Sequence, residues 1–170
     1  MHLLHVYLAS AWCVIFAVYL ATLSPSIAGG DSGEIVAEGC SLGTAHPPGY
    51  PLLTMLIHFI DVWLPFGSVA YRINVLSAAL TAFAAVCIGY CVYLYQPQGP
   101  TPIYSSITIA MGLFSFSPLI WQYATTAEVF PLNTAFAALI LLLVVVFAKY
   151  RHVWIAYIGA FVCGLVRILL

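Results

Sequence analysis

From Leu3 to Leu23 the chain runs without an Asp, Glu, Lys or Arg, and further apolar stretches follow at 69–95, 103–121, 132–148 and 153–170. A helix needs about 20 such residues to cross the roughly 30 Å hydrocarbon core of a bilayer, at about 1.5 Å per residue. The fold class this sets is an all-α, multi-spanning helical membrane protein. Only 5% of the residues are charged and 64% are hydrophobic, against about 25% charged in an ordinary soluble domain. The 170 residues leave no room for a separate soluble domain, so a single membrane domain over 1–170 is expected. A net charge of -1 with four Lys or Arg residues offers no basic field, which sets nucleic acid aside as a partner.

The run 3–23 ends at Ser24-Pro25 and Gly29-Gly30, which break helices. Ser26-Ile27-Ala28 has the small-x-small pattern of a signal cleavage site, but the run is long and lacks a basic n-region, so an uncleaved span is expected. A polar loop over 24–67 follows. Within it, Pro51 to Leu64 is apolar yet spans only about 21 Å as helix. It is too short to cross comfortably and is expected to lie in the interface or re-enter. Gln96 to Pro102 predicts a turn, and a second polar loop covers 122–131. Lys149 and Arg151 place their short loop on the cytoplasmic side by the positive-inside rule. If 51–64 does not cross, both polar loops face the opposite, lumenal side; if it crosses, they cannot share a site.

Asp31, Glu34 and Glu38 stand at i, i+3 and i+7, on one face of a helix beginning near Asp31. Asp31 and Glu34 also have the spacing of a capping box. A solvated, capped surface helix accounts for these acids. It does not account for the stiff segment His46-Pro47-Pro48-Gly49-Tyr50-Pro51, whose prolines fix the backbone; His46 there reads either as an interfacial, merely hydrogen-bonded residue or as an imidazole held near an acid. Asp31, Glu34, His46 and Glu128 have donors suited to Mg²⁺, Mn²⁺ or Ca²⁺, but they lack a fixed ligand spacing and no metal is expected. Arg72 reads either as a snorkelling interface anchor or as a donor to a lipid phosphate. Glu128 reads as a helix-start acid or as a second acid facing the first loop. The cysteines at 13, 40, 87, 91 and 163 lack paired metal-ligand spacing and read as small hydrophobes. Trp12, Trp63, Trp121 and Trp154 read as interfacial belts. A small transporter would carry its acids within spans, whereas Asp31, Glu34, Glu38 and Glu128 lie in loops or at span ends.

An apolar span, then GDSGE, AHPPGYP, LPFGSVAYRINVLSA and WQYATTAEVFPLN occur here in that order. The pattern resembles the transmembrane protein 260 family of protein O-mannosyltransferases, over about Leu8 to Gly164. The resemblance implies the N-terminal part of a GT-C type fold, with interfacial helices in the first lumenal loop. It implies a multi-pass protein of the endoplasmic reticulum membrane that moves mannose from dolichyl phosphate mannose, a substrate and not a cofactor, to Ser or Thr of a secretory acceptor protein. By the same resemblance Asp31, Glu34 and His46 form the catalytic group, with Asp31 as general base. Arg72, Glu128 and Tyr50 would contact substrate. Family members continue beyond the Gly-Leu at Gly164-Leu165, so this chain is expected to be a truncated form. The alternative function is a catalytically silent membrane protein or subunit acting through helix contacts.

Overall fold

A computed structural model describes residues 2–96 and 103–169, with the side chains of 167–169 left aside. The described residues form helices joined by loops: α1 (His2–Ala21), α2 (Ser32–Ser41), α3 (Pro51–Trp63), α4 (Val69–Tyr95), α5 (Ile103–Ser115), α6 (Pro118–Ala124), α7 (Phe130–Tyr150) and α8 (Val153–Leu169). The turn expected over Gln96 to Pro102 lies almost wholly outside the described residues. Among those described, α1, α4 and α7 are long and apolar enough to cross a membrane.

α4 is the axis of the bundle. Its inner positions are small, with Ala78, Ala82, Ala84, Ala85 and Cys87 all buried. Small residues let helices approach closely where lipid supplies no hydrophobic drive between them. Leu4, Leu8, Ile15 and Tyr19 of α1 and Ile107 and Met111 of α5 fill one side of it. Gly89 marks the tightest approach, because a Cβ there would meet the Met111 sulfur at 2.6 Å. α7 packs along the other side through Ala138, and Lys149 Nζ donates to the Leu94 carbonyl at the C-terminal end of α4 (3.1 Å).

The stretch 103–121, expected as one span, is broken into two helices bent by 69°, which together are long and apolar enough to cross as one bent span. Pro118 has no amide proton and its ring collides with the preceding turn. Ser117 before it is accordingly extended (φ -65°, ψ 139°). The bend turns α6 inward, where Ala124 is fully buried, and directs residues 125–129 toward the first polar loop.

α3 has two faces. Leu53, Thr54, Ile57 and Ile60 pack inward, with Ile35 and Val36 of α2 and Ile73 of α4 in the same cluster, while Met55, Phe59 and Trp63 face outward. Gly39 of α2 lies flat on Ile57, whose Cβ would be 2.6 Å from any Cβ at that position. This close contact seats the acid-bearing helix on α3.

Candidate active site

Gly30 turns the chain with φ +70°, and α2 starts at Ser32 after Asp31. The spacing of Asp31, Glu34 and Glu38 predicts this helix; the capping box is not formed. Asp31 has helical backbone angles (φ -83°, ψ -1°) and its side chain makes no capping bond. The carboxylate turns instead toward the strap that returns from Leu42 to Tyr50. That strap leaves α2 through a left-handed Leu42 and enters α3 through Gly49 (φ +98°) and a left-handed Tyr50. Pro51 then opens α3, at the position where a missing amide proton costs nothing.

The strap is pinned by one residue. The His46 amide donates to Glu34 Oε1 at 2.6 Å, and its ring Nδ1 lies 3.0 Å from Glu34 Oε2. An ionised carboxylate only accepts, so the hydrogen-bond network assigns the proton to Nδ1. Nε2 is then free to accept from the Tyr50 hydroxyl at 3.3 Å. It also faces Asp31 Oδ2 at 3.8 Å. The Tyr50 ring stands edge-on to the imidazole, centroids 5.4 Å apart. Sequence reading had placed Tyr50 against substrate; here its hydroxyl is on His46.

The two bonds from His46 hold the Glu34 carboxyl below its ordinary value, the ring bond contributing most and the amide next. A group whose folded pKa is lowered stabilises above its unfolded value and loses that contribution as pH falls. The strap is therefore expected to be held by Glu34 above about pH 4.5 and released as acidification passes through the lowered folded value. Amide exchange at His46 would report this, and Glu34→Gln should flatten the acid limb; an acid limb unchanged in Glu34→Gln would refute it.

Glu128 arrives from the second loop. Its Oε1 lies over Gly30, 3.0 Å from where a Cβ would stand. Burial pushes its carboxyl above the ordinary value and the Asp31 charge pushes it further, partly offset by the Asp31 amide and His46. Gly30 thus serves both a left-handed turn and a close approach. The two polar loops are also joined by the Ser24 amide on the Thr125 carbonyl (3.2 Å), and beside them Trp121 Nε1 of α6 donates to Thr22 Oγ1 just after α1 (2.9 Å).

Arg72 departs from the sequence expectation. It is buried on α4, with Nη2 on Asp61 Oδ1 at 2.8 Å and Nη1 on the carbonyls of Asp61 and Leu64. Nη1 and Nη2 hold the C-terminal end of α3, while Nε is buried without a hydrogen-bond partner among the described residues. The structure therefore gathers Asp31, Glu34, His46, Tyr50 and Glu128 and places Arg72 in the supporting frame. Asp31, Glu34 and His46 could each offer one ligand atom within 4.8 Å of the others. Glu34 engages Nδ1, however, and Nε2, the nitrogen that faces Asp31, is approached by the Tyr50 hydroxyl.

Sequence reading missed Asn74 and took His58 only as a polar mark on the 51–64 segment. Asn74 is fully buried in α4 and donates to the Ser24 and Ser26 carbonyls. His58 Nδ1 lies 2.9 Å from the Cys40 carbonyl at the C-terminal end of α2. An Asn inside an otherwise apolar helix is the signal that could have found the first. An apolar groove of about 550 Å³ between α1, α4 and α7 is lined by His5, Trp12, Phe83 and Leu142. It opens near the start of α1, the opposite end from the acid group.

Apolar spans carrying an acid and imidazole group on the loops of one end define a multi-helix membrane protein with a polar candidate site. Residues 31–167 match the family described as protein O-mannosyl-transferase TMEM260, N-terminal domain, and the chain belongs to that family. It is 46% identical over 156 residues to "Protein O-mannosyl-transferase TMEM260" of Mus musculus, covering 89% of this chain and 21% of that protein. It is 34% identical over 163 residues to "Protein O-mannosyl-transferase tmem260" of Dictyostelium discoideum, covering 87% of this chain and 19% of that one. The chain thus spans about a fifth of the length of these curated relatives. No solved structure matches it.

Proposed function

We propose that this chain carries the acid site of a protein O-mannosyltransferase, in the N-terminal part of a GT-C type membrane fold. In this reading the donor is dolichyl phosphate mannose, the acceptor is a Ser or Thr hydroxyl of a secretory protein, and both acid loops face the lumen of the endoplasmic reticulum. Asp31 takes the hydroxyl proton as the oxygen bonds to the anomeric carbon and the bond to phosphate breaks, the phosphate leaving with the electron pair. A Ser or Thr hydroxyl attacks poorly until such a base is present.

The observation that carries this reading is the contrast in hydrogen bonding within one group. The Asp31 side chain is 59% exposed and makes no capping bond, while Glu34 is bonded to His46, His46 is bonded to Tyr50, and Glu128 covers Gly30. One carboxylate is presented and its neighbours are committed to holding the frame. The names of the relatives supply the sugar and the acceptor class.

The test uses the purified chain in detergent, labelled dolichyl phosphate mannose and a secretory acceptor. Label recovered on acceptor Ser or Thr supports the reading. Binding of donor without transfer, or no transfer from the chain, favours a silent membrane protein acting through helix contacts.

A further inference from the structure

The Asn74 side-chain amide, fully buried in α4, points away from its own helix. Nδ2 donates to the Ser24 carbonyl at 2.8 Å and to the Ser26 carbonyl at 3.2 Å. Both carbonyls belong to the linker between α1 and α2, where no helix ladder supplies a donor. Only the Nδ2 side of the amide can face two carbonyls, because Oδ1 has no proton to give. The Ser26 carbonyl also accepts from the Ser24 hydroxyl at 3.0 Å, and the two part-buried bonds from the amide favour the linker path that places both oxygens on it.

That linker leads directly to Gly29, Gly30 and Asp31. Its Ser24 amide is held in turn by Thr125 (3.2 Å), in the loop that brings in Glu128. Two residues earlier on α4, Arg72 performs the same service at the far end of the acid loop, on Asp61 and Leu64. The first turns of α4 therefore grip the loop at both ends. The motif YRINVLSA contains both grips.

We propose that Asn74 is a positioning residue for Asp31: by holding the Ser24 and Ser26 carbonyls it fixes where the polypeptide delivers the Asp31 carboxylate. The functional consequence rests on the reading of Asp31 as general base; the structural one does not.

Asn74→Leu keeps the approximate size of the side chain and removes both donors. In the purified chain, amide exchange over residues 24–31 is expected to rise by about tenfold or more, the factor that ordinary hydrogen bonds supply, while α4 and α7 keep their protection. Unchanged exchange there overturns the proposal. Loss of protection throughout the bundle, in both Asn74→Leu and the gentler Asn74→Ser, also overturns it by making Asn74 a general packing residue.

In the transfer assay, Asn74→Leu should lower kcat and leave KM for the donor unchanged. It should have no further effect once Asp31 is Asn, since a residue acting only through Asp31 has nothing left to position. An additive loss in the double variant overturns the link to Asp31. Retained transfer in Asp31→Asn alone instead rejects the base reading and leaves the exchange result standing.

Discussion

Asp31→Asn is expected to reduce mannosyl transfer roughly 10²- to 10⁴-fold, the range that a positioned general base contributes. The carboxamide has nearly the shape of the carboxylate but cannot take a proton. The fold should tolerate the change. The side chain is 59% exposed, makes no capping bond, and stands 3.8 Å from its nearest partner, His46 Nε2. Unfolding stability should therefore stay within about 0.5 kcal/mol, as for a surface substitution away from structural features. A second consequence separates charge from shape. The Asp31 charge helps to hold the Glu128 carboxyl above its ordinary value, so its removal should move the Glu128 titration down toward the ordinary carboxylate range. Burial, the larger cause, stays in place, and the return should be partial. Carboxyl NMR on the purified chain would follow it. Transfer that survives Asp31→Asn, measured beside an intact protein, would remove Asp31 from the reaction.

What was legible in the sequence is what single residues and their immediate spacing dictate. The absence of charge over long runs marks α1, α4 and α7, because burying a charged residue in hydrocarbon costs about 2.5 to 3.5 kcal/mol even on a gentle scale. The i, i+3, i+7 acids mark α2, and the Pro-rich strap marks a fixed return for His46. Partner choice was not legible. A capping box and an acid that turns to a histidine have the same local spacing; what decides between them is the strap lying against α2, a tertiary fact. Arg72 reads from sequence as an interface cation, because Asp61 lies 11 positions away on a separate helix. Pro118 was visible, yet a proline inside an apolar stretch predicts a kink without its angle, and the 69° bend depends on where Ala124 and the following loop must pack. Tyr50 shows the same limit: its place at the entry to α3 follows from Pro51, but the hydrogen bond of its hydroxyl to His46 requires the left-handed turn that Gly49 makes possible.

Arg72→Leu is expected to destabilise the protein by about 3 kcal/mol, the lower end of the cost of breaking a buried ion pair from one side. The lower end applies because the Arg72 side chain is 8% exposed but that of Asp61 is 29% exposed, so water recovers part of the lost interaction. The damage should be directional. Losing the guanidinium strands the Asp61 carboxylate and frees the Asp61 and Leu64 carbonyls, which unpins the end of α3 from α4. Asp61→Asn should cost less, since Arg72 retains both carbonyls and an amide oxygen as acceptors. Arg72→Leu combined with Asp61→Leu should recover part of the loss, because replacing both partners with apolar groups removes the uncompensated charge. Arg72→Lys should fall short of wild type, since an ammonium cannot serve a carboxylate and two carbonyls with a planar fork. Thermal unfolding in detergent checks all four. If Arg72 instead held a donor phosphate, Arg72→Leu would leave the unfolding midpoint unchanged and weaken donor binding alone. Its three contacts to the end of α3 require the opposite order of effects: α3 loosens first, and transfer falls because α2, seated on α3 through Gly39 and Ile57, no longer holds Asp31 and Glu34 against the strap.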